Sequence, residues 1–358
     1  MRFLEVIGGW INEHFSNEEA IYLVVLLVAA FVVLFFFGAY IAPVLAGLIF
    51  AYLLSAVVDR LVDWHVPRLA AVWIVFALFV GGAIALVIGI APLIWRQLTE
   101  SVNAMPGVID RLRVLLGDLS TEFPGTFSPT AIEGWLAALN AEVTEIGKAA
   151  LQGLVAQVPN VFGIIIYLIL LPISFFFFLK DGKSMVARVL AMLPQHRTLL
   201  DSVGREMNVQ IANYIRGKAI EILIVGTVTY LAFLFLGLNY AALLGFVVGI
   251  SVLVPFVGAA VVTVPVAAVG FLQYGWSWDF AYVMAAYGVI QALDGNVLVP
   301  ILFSETNDLH PITIIVAVLA FGGLWGFWGI LFAIPLATLV KAIFNAWPRT
   351  NVAQAPET

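Results

Sequence analysis

The chain contains no cysteine. That excludes disulfides, thiolate catalysis, iron–sulfur clusters and Cys-ligated zinc together. Charge is also scarce: Asp, Glu, Lys and Arg make up 11% of the 358 residues, against about 25% in an ordinary soluble domain. With 63% hydrophobic residues and a mean hydropathy of +1.07, such a chain cannot cover itself with polar surface. The net charge is −6 and no basic tract occurs, which argues against a nucleic-acid partner. The four histidines, His14, His65, His196 and His310, are too scattered for metal-ligand spacing, and no His-Glu-x-x-His pair exists. No Walker-type loop precedes a Lys-Ser or Lys-Thr pair. Gly249-Ile250-Ser251 does not complete a nucleophile elbow, because Val252-Leu253 follows. An enzyme is therefore not expected, and no cofactor is implied.

What is present in quantity is uninterrupted apolar sequence. Ile21 to Val58 holds no Asp, Glu, Lys, Arg or His, roughly twice the 20 residues a helix needs to cross a bilayer. Further charge-free blocks run over Leu69 to Trp95, Ala149 to Leu179, Ile222 to Trp278 and Phe280 to Leu293; Leu309 to Val340 holds only His310. These blocks predict an all-α, polytopic membrane protein with about eight transmembrane helices and Pro/Gly-broken or re-entrant segments. The residues before Ile21 lack the basic stretch, short apolar core and small-residue site of a signal peptide, so Ile21 onward is expected to be a retained membrane segment.

The block from Ile222 to Trp278 would be over 80 Å long as one helix, against a hydrocarbon core of about 30 Å. It must fold back, at Gly237-Leu238-Asn239 and again at Pro255-Phe256-Val257-Gly258. Breaks are also expected at Gly38 to Pro43 and at GGLWGFWG, Gly322 to Gly329. Crossing and re-entry are both open for the Pro255 and GGLWGFWG regions, since each changes the number of crossings by two. Gly245 with Gly249, and the series Gly323, Gly326, Gly329, are spaced for close helix packing, which also permits a homo-oligomer.

Basic residues set the expected sidedness. One set of loops carries Arg2, Arg60, Arg68, Lys180, Lys183, Arg188, Arg197, Arg205, Arg216, Lys218, Lys341 and Arg349. The other carries Arg96, Arg111, Arg113 and Lys148 among seven acidic residues. Both termini are therefore expected in the cytoplasm of a bacterial-type inner membrane. The chain divides into residues 1–95 with the first spans, an external amphipathic loop at 96–158, and a second membrane part at 159–358. Within the last, 180–218 is a basic cytoplasmic segment, expected as two short helices joined at Leu193-Pro194. Arg216 and Lys218 are expected to meet phosphate head groups or a carboxylate.

Polar residues inside such sequence are costly and few. An ionised carboxylate at the bilayer centre costs at least ~2.5–3.5 kcal/mol on insertion scales, so Asp294 must be paired, protonated or in water. It is either a functional group or, with Gly295-Asn296, a helix cap at the interface. Gln291, Asn296, Glu305, Asn307, Asp308 and His310 bracket the same region. Glu221, one turn after Arg216 and Lys218, suits an ion pair better than a proton carrier. Where a membrane helix is broken, its freed backbone groups must face protein or a water-filled cavity. Interrupted segments in both halves of a chain point to a transporter's site. Here they are Pro43 with Gly47, then Pro255, Gly258, Pro265 and Pro335.

Four motifs in order carry a resemblance: YIRGKAIEILIVG (Tyr214 to Gly226), GLNYAALLGFVVGISVLVPFVGAAV (Gly237 to Val261), QALDGNVLVP (Gln291 to Pro300) and DLHPITIIVAVLAFGGLWGFWGILFAIPLATLVK (Asp308 to Lys341). They resemble the autoinducer-2 exporter (AI-2E) transporter family, and within it the PerM-like permeases. The likeness is dense from about Tyr214 onward and weaker before it. It implies an all-helical fold of about eight spans and export of a small polar signal or, in other members, sodium- or lithium-for-proton antiport. The expected partners are a small-molecule solute or cation, the lipid bilayer and further copies of the chain. A rival from another class is a non-transporting membrane scaffold. The expected pathway combines Pro255, Gly258, Gln291, Asp294, Asn296, Gly323, Gly326 and Pro335. Ser251 adds a hydrogen bond, and Phe256, Trp325, Phe327 and Trp328 either wall the route or serve as core or interfacial aromatics. Asp294, Glu221 and Arg216 are the candidates for coupling or gating.

Overall fold

In the computed structural model, the described residues are 18–122, 130, 132–138, 141–142, 145, 161–194, 197–303 and 309–346. Helix accounts for 91% of them and none is in a strand. This is what a lipid solvent requires, because a helix satisfies its backbone groups within one segment. Among the described residues, seven helical stretches are long and apolar enough to cross a membrane, and three shorter apolar helices accompany them. Their outer faces show large apolar side chains, such as Leu78, Leu168 and Phe235, as expected where hydrocarbon replaces water.

The elements are α1 (Glu18–Asp63), α2 (Arg68–Gly89), α3 (Ala91–Glu122), α4 (Val161–Ala191), α5 (Thr198–Phe235), α6 (Ala241–Ser251), α7 (Val257–Tyr274) and α8 (Trp278–Leu293). A π-helical turn, Asp294–Leu298, continues α8 into α9 (Val299–Phe303), and α10 (Pro311–Trp325), α11 (Phe327–Leu331) and α12 (Ala333–Ala346) follow. The expected break at Gly38 to Pro43 is not realised: α1 runs through Pro43 as one element of 46 residues. A proline removes one helical hydrogen bond, and membrane helices tolerate the loss when neighbours satisfy the freed groups. Separately, the Ser174 hydroxyl of α4 donates to the Pro43 carbonyl at 3.5 Å and ties α4 to α1 at this level. The residues 180–218 form the end of α4 and the start of α5, two long helices meeting near Leu193-Pro194 rather than two short ones. Within residues 96–158, α3 carries on to Glu122, and its Leu112 and Leu116 pack on Ile132 and Leu136. The turn-rich centre at 123–129 lies outside the described residues.

The chain divides into two compact units, Met1–Val72, Ile173–Gly217 and Glu305–Thr358 in one, Trp73–Pro172 and Lys218–Ser304 in the other. In the first, Glu19 caps α5: its carboxylate accepts from the Thr198 hydroxyl at 3.0 Å and the Leu199 N–H at 2.8 Å. A carboxylate at that end meets the unpaired N–H groups and the positive end of the helix dipole. Leu23, Leu199, Val203 and Met207 form a small core beside it, extended by Leu339 and Ile343 of α12. The reversal at GGLWGFWG occurs at Gly326, with φ 58°. A Cβ on Gly329 would sit 1.8 Å from the Phe321 carbonyl oxygen, so α10 and α11 close up only with glycine there.

In the second unit, α5 and α6 run antiparallel at backbone contact. A Cβ on Gly249 would lie 2.9 Å from the Gly226 Cα, and one on Gly245 would lie 2.7 Å from the Tyr230 Cβ. The small-residue face expected of Gly245 and Gly249 is thus spent within the subunit. α6 has no cap of its own, since its N-cap Tyr240 sits at φ 58° with no side-chain bond. Gln97 of α3 supplies one, its Oε1 accepting from the Leu243 N–H at 2.8 Å.

Candidate functional site

α6 and α7 form a hairpin with a closed base and a strained tip. At the base, the Gln273 side chain accepts from the Asn239 N–H and donates to the Gly237 carbonyl, both at 2.7 Å, while the Tyr274 hydroxyl donates to the Leu236 carbonyl at 2.7 Å. At the tip, residues 252–256 leave the helix, and Phe256 takes φ 62°, ψ −48°, a conformation L side chains rarely adopt. Gly258 stands so close to the other limb that a Cβ would fall 1.8 Å from the Ser251 carbonyl oxygen. The Pro255-to-Gly258 break is therefore a reversal locked by a backbone contact. Between the limbs and α8, the Tyr287 hydroxyl donates to the Ala259 carbonyl at 3.0 Å and meets the Thr263 hydroxyl at 3.1 Å. A core of Phe233, Val248, Val266, Val283 and Tyr287 fills the bundle.

Charge collects at the tip end of this bundle. Lys218 of α5 is 7% exposed and Glu221, one turn later, 2% exposed. The Lys218 ammonium donates to the Val252 carbonyl at 2.8 Å and meets Glu221 Oε2 at 2.8 Å. The second contact is an ion pair off the hydrogen-bond direction, so Glu221 Oε2 has a charge partner but no aligned donor. Val252 is the C-cap of α6, where the helix dipole is negative and a cation is favoured. The same ammonium lies 5.4 Å from the centre of the Phe303 ring, a cation–π distance. Asp294 lies within electrostatic reach of both Lys218 and Glu221. Three ionisable groups thus act on one another, two carboxylates against one ammonium; Lys218 and Glu221 are buried, and Asp294 is half-buried with its Oδ1 enclosed. Buried charges persist only when paired, because desolvation costs several kcal/mol per ion.

The sequence marks Glu221 and Asp294 as coupling candidates and Lys218 only as an anchor at a membrane end. The carboxylate expected as its partner is Glu221. The signal for more was the placement of Lys218 three residues before a carboxylate and four before an unbroken apolar run. Gln291 stands one turn before Asp294 on α8, and its Nε2 is buried without a partner, as is Asp294 Oδ1. Asp294 closes α8 and opens a π-helical turn that carries the helix on to Phe303, so it starts no new helix. Asn296 is exposed and returns its amide to the Ala292 carbonyl at 2.8 Å. Ser251 likewise spends its hydroxyl proton on the Val248 carbonyl at 2.7 Å. Pro255 is half-buried in the tip, whereas Phe256 is exposed.

Arg216, Gly323, Gly326 and Pro335 belong to the other unit. There Arg216 donates to the Ser55 hydroxyl at 3.3 Å with its Nε buried and unpartnered, and the Tyr52 hydroxyl donates to Asn208 at 2.8 Å. Pro335 sits in the first turn of α12, where a missing N–H costs nothing. Trp325 packs on Phe31 and Phe321, and Trp328 stacks on Phe332. His310 caps α10, its Nδ1 accepting from the Ile312 N–H at 3.3 Å. Glu305, Asn307 and Asp308 lie outside the described residues.

The sequence matches the family described as "AI-2E family transporter" over residues 22–349. It is 42% identical over 351 residues to "Putative permease PerM" of Escherichia coli K12, covering 98% of this chain and 99% of that one. "Putative transport protein YueF" of Bacillus subtilis is 27% identical over 343 residues, 92% of each chain. "AI-2 transport protein TqsA" of Escherichia coli K12 is 22% identical over 304 residues, 84% of each. The family match over nearly the whole chain, together with the 42% identity across its length, makes this chain a member of the AI-2E transporter family.

Proposed function

We propose that the protein is a secondary transporter that exports a small, neutral, hydrogen-bonding solute, with the tip of the α6–α7 hairpin and the α8 end as its binding region. The observation that carries this reading is the pair of buried, unpartnered polar atoms one turn apart, Gln291 Nε2 and Asp294 Oδ1. One donates and the other accepts. A hydroxylated solute satisfies both, and nothing charged has to be brought into the membrane. Autoinducer-2 is the first candidate, since the relative TqsA is named for it. Both termini are placed in the cytoplasm on the distribution of basic residues, and the acidic segment from Arg96 to Lys148 outside.

A second reading, sodium- or lithium-for-proton antiport, is favoured by one feature, the excess of one carboxylate over the ammonium in the cluster. Flux through purified protein in liposomes separates the two. Uptake of autoinducer-2 that is lost in Asp294→Asn and in Gln291→Leu supports the first reading. A sodium-driven pH change without solute movement supports the second. Wild-type flux in both variants at equal protein level would place the pathway elsewhere.

A further inference from the structure

We infer that Lys218 is the positioning residue of this site: its ammonium latches the α6–α7 tip shut through the Val252 carbonyl and Glu221, and the tip opens to water when the ammonium swings to Asp294. The inference rests on the proposed transport site for its role, but on geometry for its existence.

The hairpin is secured unequally. Its base is tied by three side-chain hydrogen bonds from Gln273 and Tyr274, all short and all within the hairpin and the loop that enters it. The tip has no regular helix over 252–256 and holds Phe256 at positive φ. From outside the hairpin, α5 reaches this tip with the Lys218 ammonium. A turn that stores backbone strain persists when its surroundings hold it: the Val254 and Gly258 N–H bonds and the Gly258–Ser251 contact close this one from within, and the Lys218 charge ties it to α5. That charge has two alternative partners. Glu221 is one turn along its own helix at 2.8 Å, and Asp294 is presented from α8 within electrostatic reach. Lysine suits the task because its ammonium is a point charge on a flexible four-carbon stem, able to exchange acceptors without moving its helix. The π-helical turn begins at Asp294, and such insertions mark places where helices change local register. Neutralising Asp294 by the ammonium frees Glu221 and the α6 terminus, so the two carboxylates act on the tip with opposite sign.

The absence of native cysteine permits a direct test with the full chain in liposomes. A single cysteine in place of half-buried Val254 reports the tip, and one in place of half-buried Met284 reports the bundle core. The readout is the rate of N-ethylmaleimide reaction, which requires water at the thiol. Lys218→Met is expected to raise the rate at 254 about tenfold or more and leave 284 unchanged. Glu221→Gln, which sends the ammonium to Asp294, is expected to raise the rate at 254, and Asp294→Asn to lower it. If Lys218→Met does not fold, the double variant Lys218→Met with Glu221→Gln removes both charges and is expected to raise the rate as well. An unchanged rate at 254, an equal rise at 284, or the same sign in Glu221→Gln and Asp294→Asn would overturn the latch. Because thiol rates need no solute, their failure is distinct from failure of solute flux, which would instead sink the transport reading.

Discussion

At the scale of single residues, the decisive fact is how few polar atoms are placed inside and how unequally they are satisfied. Ser251 and Asn296 return their donors to their own helices. Gln291 and Asp294 do not. A buried polar group deprived of its partner costs about 1–3 kcal/mol, so removing one of the two solute contacts is expected to weaken solute affinity by about 5- to 150-fold. Equilibrium binding to Gln291→Leu, with circular dichroism as the folding control, measures this. Glu221→Gln has a different expected outcome. Breaking a buried pair costs about 3–5 kcal/mol when the surviving charge is stranded, but Asp294 stands ready to take Lys218. Stability in denaturant titration should therefore fall by less than that in Glu221→Gln, and by the full amount when Asp294→Asn is added. Additive behaviour of the two substitutions would show that Asp294 offers the ammonium no second home.

At the scale of elements, the question is what maintains the break between α6 and α7. Proline at 255 suggests that the chain stops there for want of an N–H. The hairpin says otherwise. Its limbs are antiparallel, tied at the base by Gln273, and held at the tip by the approach of Gly258 to the Ser251 carbonyl. Pro255→Ala leaves both in place, so the two helices have no route to become one, and the change is expected to shift stability by under ~1 kcal/mol. Gly258→Ala puts a methyl where a backbone oxygen already lies and is expected to cost ~3 kcal/mol or more, as overpacking against rigid backbone does. Thermal unfolding of the two variants in one detergent decides it: equal losses would return the break to the proline.

At the scale of the whole molecule, the distribution of Lys and Arg makes a claim that packing cannot make. Reporter fusions after Lys183 and within Thr121 to Phe127 are expected on opposite sides of the membrane. Both on one side would overturn the orientation. Of the small-residue faces, Gly245 and Gly249 already receive α5 within the subunit and Gly329 lies against the Phe321 carbonyl, whereas a Cβ on Gly323 or Gly326 would meet nothing within 4 Å.

The sequence by itself determined the solvent, the secondary structure and the family. Long charge-free blocks admit no other conformation in hydrocarbon than helix, and breaks at Gly237, Pro255 and Gly326 were legible because glycine and proline act locally on the backbone. The same local rule overcalled Pro43, since a proline removes one hydrogen bond and a surrounding bundle can absorb that loss. What only the tertiary structure decided is which polar groups meet. Lys218, Val252 and Asp294 are brought together by the register of α5 against α6 and of α8 beside them. That register is set by Gly226 against Gly249 and by the base ties of the hairpin, contacts between residues far apart in the chain. No periodicity or propensity encodes them, because the energy that selects one register over its neighbours appears only when two helix surfaces interlock.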